Sequence, residues 1–293
     1  MKKNIKVGIF QMKCSSDEKE NKTKIEEKVK EFACENIELI VLQELHDNIY
    51  FCQTENINNF DLAQEIPGPS TSFYSELAKK NNTVLVTSVF EKRTAGLYHN
   101  TAVVFEKDGT IAGTYRKMHI PEDPGYHEKF YFTPGETGFN PIKTSVGTLG
   151  VLICWDQWYP EAARIMALKG AEILIYPTAI GFDENDDAKE REIQVNSWKT
   201  IQKSHAIANG IPLICVNRCG SELSENSMRK IKFWGNSFIC GPQGETIFQA
   251  GEEEGFSLAN ISMSKSEIVR RNWPFLRDRR IDEYADLQKR FFD

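Results

Sequence analysis

Two kinds of hydrophobic pattern alternate along most of the chain. Short runs of Val, Ile and Leu predict buried strands, and apolar residues three or four positions apart predict helices. The predicted strands span residues 6–12, 38–44, 83–90, 98–105, 110–117, 151–153, 172–177, 212–217, 235–240, 246–248 and 256–261. The predicted helices span residues 17–36, 71–81, 160–169 and 189–209. Because strands and helices alternate in this way, the pattern predicts an α/β fold.

The chain shows no linker, internal repeat or low-complexity segment that would divide it. We therefore predict a single domain over residues 1–293, with a charged, helical C-terminal extension from about residue 264. The loop 118–137 contains three prolines and little periodicity. Because structureless loops of this length are uncommon in compact domains, we expect it to carry function.

Composition and charge narrow the class of protein. Hydrophobic residues make up 40% and charged residues 27% of the 293 positions, as in an ordinary globular protein. The formal net charge of -6 gives no reason to expect nucleic acid or an anionic membrane as a partner. The N-terminus lacks the apolar core of a signal peptide, and no segment approaches the roughly 20 apolar residues of a membrane span. We expect a cytoplasmic protein.

The seven cysteines are an odd number and form no CxxC pair. Cys215 and Cys219 lie near the end of a predicted strand, without a second pair that would complete a zinc site. Reduced thiols are therefore expected, and neither a metal nor another cofactor is predicted.

Three polar residues, Glu44, Lys117 and Cys154, come at the ends of predicted strands. In α/β sheets, ligands gather beyond the carboxyl ends of the strands. A thiol with an ordinary pKa of about 8.5 needs a base and a cation to act as a nucleophile near neutral pH. Glu44 and Lys117 would supply them, and the three groups together suit amide hydrolysis. The residues alone leave open that Cys154 is a buried filler residue and that the two charges merely end their strands.

Four stretches carry a family resemblance, in this order along the chain: Leu42-Gln-Glu-Leu45, Tyr115-Arg-Lys-Met-His-Ile-Pro121, Gly150-Val-Leu-Ile-Cys-Trp-Asp156 and Pro160-Glu-Ala-Ala-Arg164. They resemble the catalytic blocks of the nitrilase superfamily of carbon-nitrogen hydrolases. The resemblance implies a four-layer αββα sandwich. It also implies a homo-oligomer, a dimer or larger, with the C-terminal extension expected in the contacts between subunits.

The resemblance also implies roles for individual residues. Glu44 would be the general base, Lys117 the group that stabilises the oxyanion, and Cys154 the nucleophile. Glu128, in the loop after the lysine, would orient Lys117 and contact the substrate amide. Without the family, Glu128 would be taken for a solvated loop charge.

Two histidines, His119 and His127, offer an alternative in the form of a cysteine-histidine dyad. The family uses no catalytic histidine, so Glu44 is the preferred base. A third histidine, His205, has helical spacing from Trp198 and is predicted to be packed rather than a ligand.

Within the superfamily, five segments resemble the branch of N-carbamoylputrescine amidohydrolases of polyamine synthesis: Tyr50-Phe-Cys-Gln53, Gly125-Tyr-His-Glu-Lys-Phe-Tyr-Phe132, Cys154-Trp-Asp-Gln-Trp-Tyr-Pro160, Tyr176-Pro-Thr-Ala-Ile-Gly181 and Phe275-Leu-Arg-Asp-Arg-Arg280. The chain departs from that branch at His46, where an aromatic residue is usual, and at His127, where glutamine is common. The branch implies a small ureido or amide substrate with a cationic far end.

Such a substrate would need carboxylates or aromatic faces around its ammonium group. The predicted substrate-binding residues are Tyr50, Trp155, Thr178, Asp183 and Glu184. The alternative is that the acidic loop containing Asp183 and Glu184 is solvent-exposed surface with no role in binding.

Two competing functions remain open from the sequence. One is N-carbamoyl-β-alanine amidohydrolase or another aliphatic amidase of the superfamily. Because carbamoyl-β-alanine ends in a carboxylate, Arg191, Arg218 or Arg277 facing the pocket would favour it. The other is a non-catalytic interaction protein on the same fold, against which the intact set of Glu44, Lys117 and Cys154 argues.

Overall fold

Two six-stranded sheets form the centre of the computed structural model, which describes residues 4–183, 185–223 and 230–292. The strands of the first sheet are β1 (Asn4–Gln11), β2 (Leu39–Leu42), β3 (Val84–Thr94), β4 (Leu97–Phe105), β5 (Ile111–Arg116) and β15 (Gly255–Ser262). Those of the second sheet are β6 (Ile142–Thr144), β7 (Gly147–Val151), β8 (Ile173–Thr178), β10 (Leu213–Asn217), β13 (Phe238–Cys240) and β14 (Thr246–Gln249). A smaller sheet contains β9 (Gly181–Phe182), β11 (Cys219–Glu222) and β12 (Ile231–Trp234).

The strand order brings several carboxyl ends to one edge of each large sheet. The first sheet has the order β15-β1-β2-β3-β4-β5 and the second β14-β13-β10-β8-β7-β6. The central strands β1, β2 and β3 are parallel, as are β7, β8 and β10. Strand β5 is antiparallel to β4, which is antiparallel to β3, so β5 runs in the same direction as β2. The ends of β2 and β5 therefore lie at the same edge.

Helices cover the outer faces of the two sheets. The helices of the described chain are α1 (Glu18–Glu31), α2 (Pro69–Lys80), α3 (Glu128–Tyr131), α4 (Pro160–Leu168), α5 (Ala188–Asn209) and α6 (Met263–Asn272). On the first sheet, Ile40 faces α1 and α2, where it packs in one apolar cluster with Ile25 and Val29. Its neighbour Val41 points the other way and packs with Val151 of the second sheet.

This alternation along β2 places one core between the sheets and another beneath α1 and α2. Met166 of α4 and Trp198 of α5 pack against the second sheet. The predicted four-layer αββα sandwich is confirmed.

Some predicted boundaries are wrong. The first helix begins after its N-cap Asp17, as the pattern indicates, but ends at Glu31 rather than at residue 36. Phe32 lies beyond that end and is only half-buried. The predicted strand 151–153 ends at Val151, and the strand 235–240 begins only at Phe238. The short strands of the small sheet were not predicted, because two to four residues are too few to show a period.

The C-terminal extension continues after α6 as short 3-10 turns at Ile281–Glu283 and Ala285–Gln288. Large apolar side chains on it are exposed, including Trp273 at 56% and Leu287 at 67%. Its predicted role in subunit contacts stays a prediction. Within the described ranges, none of the helices has the length and apolar character needed to cross a bilayer.

Candidate active site

Glu44 lies in the turn that follows β2 and is fully buried. The next residue, Leu45, has a φ of 47°, so the chain turns sharply directly after Glu44. Its Oε1 accepts a hydrogen bond of 2.7 Å from Asn100 Nδ2. Its Oε2 is buried and has no hydrogen-bond partner among the described residues. A carboxylate oxygen in that state is available to take a proton.

Lys117 follows β5 directly and lies beside Glu44. Its Nζ donates to Glu44 Oε1 at 2.8 Å and to Glu128 Oε2 at 2.6 Å. Burial by itself would lower the pKa of the ammonium, but the Glu128 and Glu44 carboxylates outweigh it and raise the pKa well above its usual value. Lys117 therefore stays charged, and two of its three N–H donors are directed at carboxylates.

Glu128 begins the one-turn helix α3 inside the long loop 118–137. It is fully buried, so the alternative that it is a solvated loop charge is wrong. Tyr50 Oη donates a hydrogen bond of 2.7 Å to its Oε1. Burial raises the pKa of the Glu128 carboxyl to about 7, opposed by Lys117 and reinforced by the Glu44 charge. The expectation that the loop carries functional groups fits this position.

Cys154 begins a 3-10 turn at Cys154–Trp158, three residues after the end of β7. Its φ of 44° is in the left-handed region, which a non-glycine residue rarely adopts. The Asp156 carboxylate holds this elbow by accepting from Ile153 N at 2.9 Å and from Tyr115 Oη at 2.8 Å. The residue is only 4% exposed, so the thiol is buried.

The electrostatic setting of the Cys154 thiol determines what it needs for reaction. Burial raises its pKa well above the usual value, the Glu44 charge raises it further, and Lys117 opposes both. The resting thiol is therefore protonated, and it requires a base at the moment of attack. The unpaired Glu44 oxygen can serve as that base, and Lys117 can stabilise negative charge on the substrate oxygen.

A cavity of about 540 Å³ has Cys154 among its lining residues. Trp155, predicted to bind substrate, is also in its wall, together with Trp158 and Tyr126. Four carboxylate residues of the described chain line it: Asp123, Asp183, Asp186 and Glu190. Among the described lining residues none is lysine or arginine. Of the two predicted acidic residues, Asp183 thus borders the cavity, and Glu184 lies outside the described residues.

Comparisons of the sequence and of the structure with known proteins agree on the family of this chain. A model of the carbon-nitrogen hydrolase family matches residues 6–271. The chain belongs to the carbon-nitrogen hydrolase family. It is 41% identical to N-carbamoylputrescine amidase from Solanum lycopersicum over 97% of this chain and 94% of that protein. It is 38% identical to a citrullinase from Francisella tularensis, with 98% and 99% coverage.

A solved carbon-nitrogen hydrolase from Helicobacter pylori superposes with a TM-score of 0.97 at 54% identity, covering 99% of this chain and 100% of that one. The resemblance to the nitrilase superfamily is therefore confirmed, and the chain is a carbon-nitrogen hydrolase of that superfamily.

Two of the predicted substrate-binding residues in this carbon-nitrogen hydrolase do not line the cavity. Tyr50 is fully buried behind Glu128, where it contacts that carboxylate. Thr178 is fully buried at the end of β8, and its hydroxyl donates to Gln157 Oε1 and Tyr176 O, both at 3.1 Å. Because Thr178 is occupied by contacts beneath the cavity, its position does not support the predicted contact with substrate.

The histidines of this carbon-nitrogen hydrolase have partners other than the thiol. His119 Nδ1 lies 2.7 Å from Asp156 Oδ1, and His127 Nδ1 lies 2.8 Å from Glu122 Oε1. Neither has a hydrogen bond to Cys154 in the described structure, so the geometry does not favour a cysteine-histidine dyad. His205 is buried and lies 3.1 Å from Tyr176 Oη, as its helical spacing predicts.

His46, which departs from the related branch, lies in the turn that carries Glu44. It is fully buried, with Nε2 2.5 Å from Thr87 Oγ1 and Nδ1 3.1 Å from Asp47 Oδ1. The other departure, His127, is half-buried on the loop and does not line the cavity.

Sequence reasoning missed Asn100, Asp156 and the acidic cavity residues Asp123, Asp186 and Glu190. Asn100 lies within a strand of the first sheet, where a single amide carries no pattern. Asp156 lies in the motif around Cys154. Its position two residues after a candidate nucleophile was the sequence signal that could have indicated a role at the site.

Proposed function

We propose that this carbon-nitrogen hydrolase converts N-carbamoylputrescine and water to putrescine, carbon dioxide and ammonia. The observation that carries the proposal is the charge of the cavity, whose described wall contains four carboxylates and no lysine or arginine. A substrate with a ureido group at one end and an ammonium at the other fits a thiol at one side of such a cavity and carboxylates elsewhere. The relatives named N-carbamoylputrescine amidase support the same substrate.

In the first half of the proposed reaction, Cys154 Sγ attacks the ureido carbon while Glu44 Oε2 takes the thiol proton. The carbonyl π bond becomes an oxyanion, stabilised by the Lys117 ammonium. Collapse of this intermediate breaks the bond to the terminal nitrogen. That nitrogen receives the proton from Glu44 and leaves as ammonia, so an N-substituted carbamoyl thioester remains on Cys154.

In the second half, Glu44 takes a proton from a water molecule that attacks the thioester carbon. The C–S bond breaks, the proton returns to the Cys154 sulfur, and the product is the carbamate of putrescine. That carbamate loses carbon dioxide to give the free amine. Glu128 would hold Lys117 in position throughout, because it is the second carboxylate bound to Nζ.

One relative favours a second candidate substrate, since the citrullinase is 38% identical over nearly all of this chain. Citrulline has the same ureido group but adds a carboxylate beside its distal amine. Carbamoyl-β-alanine, the other competitor, ends in a carboxylate alone. Either compound would place negative charge near the acidic wall of the cavity, which is unfavourable without a cationic partner.

The three arginines that would favour a carboxylate-ended substrate do not line the cavity. Arg191 lies over the ring of Phe182, with 5.3 Å from Cζ to the ring centroid. Arg218 is buried beneath the Glu44 turn. Arg277 is exposed in the C-terminal extension, where its Nε donates to Asp278 at 2.7 Å. Their positions therefore support N-carbamoylputrescine over both competitors.

Ammonia release from N-carbamoylputrescine, citrulline and carbamoyl-β-alanine, measured with one enzyme preparation, tests the proposal. We expect kcat/KM for N-carbamoylputrescine to exceed the other two by about 10-fold or more, as one unpaired charge in a binding site costs more than about 1.4 kcal/mol. Equal or faster hydrolysis of either carboxylate-bearing compound would contradict the proposed substrate. Failure to hydrolyse any amide or ureido compound would instead support a non-catalytic protein on this fold.

We also propose that the chain forms a homo-oligomer through its C-terminal extension. The extension exposes Trp273, Ile281, Leu287 and Phe291, with Ile281 at 74% and Phe291 at 82%. Exposed apolar side chains concentrated in one segment are typical of an interface. Light scattering of the full chain should give a dimer or larger species, and Leu287→Ser with Ile281→Ser should shift it toward the monomer. A full-length chain that is monomeric at micromolar concentration would contradict this proposal.

A further inference from the structure

Arg218 is fully buried directly after β10, and its guanidinium bonds to the turn that carries Glu44. Nη2 donates to the main-chain oxygens of Glu44 at 3.1 Å and of Leu45 at 2.7 Å. Nη1 donates to the main-chain oxygen of Asn48 at 3.0 Å. One side chain from the second sheet therefore binds three carbonyls of a single turn of the first sheet.

That turn needs external support because of its backbone conformation. Leu45 has a φ of 47°, a region that a leucine occupies at a cost of roughly 1–3 kcal/mol unless its surroundings hold it there. Its N–H donates to Ser88 Oγ at 3.1 Å, and its carbonyl accepts from Arg218. Both main-chain groups of the strained residue are thus fixed, and with them the direction of the Glu44 side chain.

Through Glu222, Arg218 is also connected to Glu128, the second carboxylate that binds Lys117. Arg218 Nη1 donates to Glu222 Oε1 at 2.8 Å, and Glu222 Oε2 accepts from Tyr50 N at 2.7 Å. Tyr50 in turn donates through its hydroxyl to Glu128 Oε1. The buried Arg218–Glu222 pair therefore contacts the backbone of Glu44 directly and that of the residue that holds Glu128.

We propose that Arg218 is a positioning residue for hydrolysis, which with Glu222 holds the general base and the Lys117-binding carboxylate in their reactive arrangement. This inference rests on the roles proposed above for Glu44 and Cys154. The planar guanidinium suits the task because its two terminal nitrogens serve four acceptors at once. A lysine would keep the charge beside Glu222 but would bring all its donors to one nitrogen, so it would leave part of the turn unsupported.

Arg218→Lys is therefore the informative variant. We expect kcat for N-carbamoylputrescine to fall by about 10-fold to 100-fold with KM within about threefold of wild type, because misplacement of a catalytic group by about 1 Å has costs of that size. Val29→Ala is the matched control, since it removes buried volume under α1, away from the site. It should lower the melting temperature and leave kcat unchanged.

A second readout does not depend on the substrate. Alkylation of Cys154 by iodoacetamide, followed on the peptide that contains it by mass spectrometry, requires removal of the thiol proton and so depends on the position of Glu44. Arg218→Lys should slow this alkylation by about 10-fold, whereas Val29→Ala should not. If wild type reacts with iodoacetamide but does not hydrolyse N-carbamoylputrescine, the substrate proposal fails while the alkylation comparison still tests Arg218.

The proposal is overturned if Arg218→Lys keeps kcat and the alkylation rate within about twofold of wild type. It is equally overturned if Val29→Ala, at the same melting temperature, loses as much activity as Arg218→Lys. If Arg218→Lys does not fold, Glu222→Gln decides the matter, because the amide fills the same space but lacks the charge. A lower kcat with unchanged KM in that variant supports the proposal, and a wild-type kcat overturns it.

Discussion

The Tyr50 hydroxyl donates a 2.7 Å hydrogen bond to Glu128 Oε1, while the other oxygen of the same carboxylate accepts from Lys117 at 2.6 Å. Tyr50 thus stabilises the ionised form of a carboxyl that burial pushes toward protonation. The contact connects a residue after β2 to the loop that follows β5. It also suggests how the pH dependence of the enzyme is set.

Tyr50→Phe removes a hydrogen bond that lowers the pKa of Glu128, so that pKa should rise above about 7. We propose that ionised Glu128 is needed to orient Lys117, so kcat/KM of wild type should fall as the pH drops through about 7. In Tyr50→Phe this fall should begin at higher pH. A pH profile of kcat/KM for both proteins checks the shift, and superimposable profiles would be evidence against it.

Stability should respond to the same carboxyl in a defined direction. The pKa of Glu128 is raised from 4.5 to about 7 on folding, so its contribution to stability is present below pH 4.5 and is lost as the pH rises through 7. Glu128→Gln does not titrate. As the pH rises from 5 to 8, the free energy of unfolding of wild type should therefore fall relative to that of Glu128→Gln, by at most about 3 kcal/mol. Urea unfolding at the two pH values measures the difference, and a change of opposite sign would refute the assigned shift.

Removal of the proposed base should abolish turnover with little loss of structure. Glu44→Gln retains an oxygen that can accept from Lys117 and Asn100, whose bonds now converge on Oε1. It cannot take the thiol proton, so kcat should fall by about 1,000-fold or more. Ammonia release and circular dichroism together check this expectation. A variant with more than a tenth of wild-type kcat would show that another group acts as the base.

The acidic wall of the cavity should affect the binding of charged substrates and leave that of neutral ones unchanged. Asp183→Asn combined with Asp186→Asn should raise KM for N-carbamoylputrescine by about 10-fold, since partly exposed ion pairs contribute up to about 1 kcal/mol each. KM for N-butylurea, which lacks the ammonium, should not change. Glu76→Gln removes a similar charge from the exposed side of α2 and should leave both KM values as in wild type. Equal effects on the two substrates would show that the loop acts by shape rather than by charge.

The sequence predicts the layers and the principal reactive groups because both depend on local patterns. Ile40 and Val41 point to opposite faces of the first sheet and are both buried, as a continuous apolar run predicts. Glu44 and Lys117 follow β2 and β5, which run in the same direction, so both residues lie at one edge of the first sheet. The motif order then identifies the family.

Contacts between segments that are far apart in the chain could not be predicted from the sequence. The bond from Arg218 to the Glu44 carbonyl joins residues 174 positions apart, and no periodicity indicates it. The burial of Glu128 and the deep placement of the Cys154 thiol also follow from packing among several segments. Thr178 shows the converse error, since a motif position suggested a contact with substrate but the side chain bonds to Gln157 beneath the cavity.

The central claim is that Cys154 attacks the ureido carbon of N-carbamoylputrescine. The most direct measurement is ammonia release from that compound by wild type, Cys154→Ser and Cys154→Ala, with correct folding of each verified by circular dichroism. We predict rapid release by wild type and a loss of about 10,000-fold or more in both variants, as is typical when a nucleophile is removed. Turnover within about 10-fold of wild type in either variant would contradict the claim.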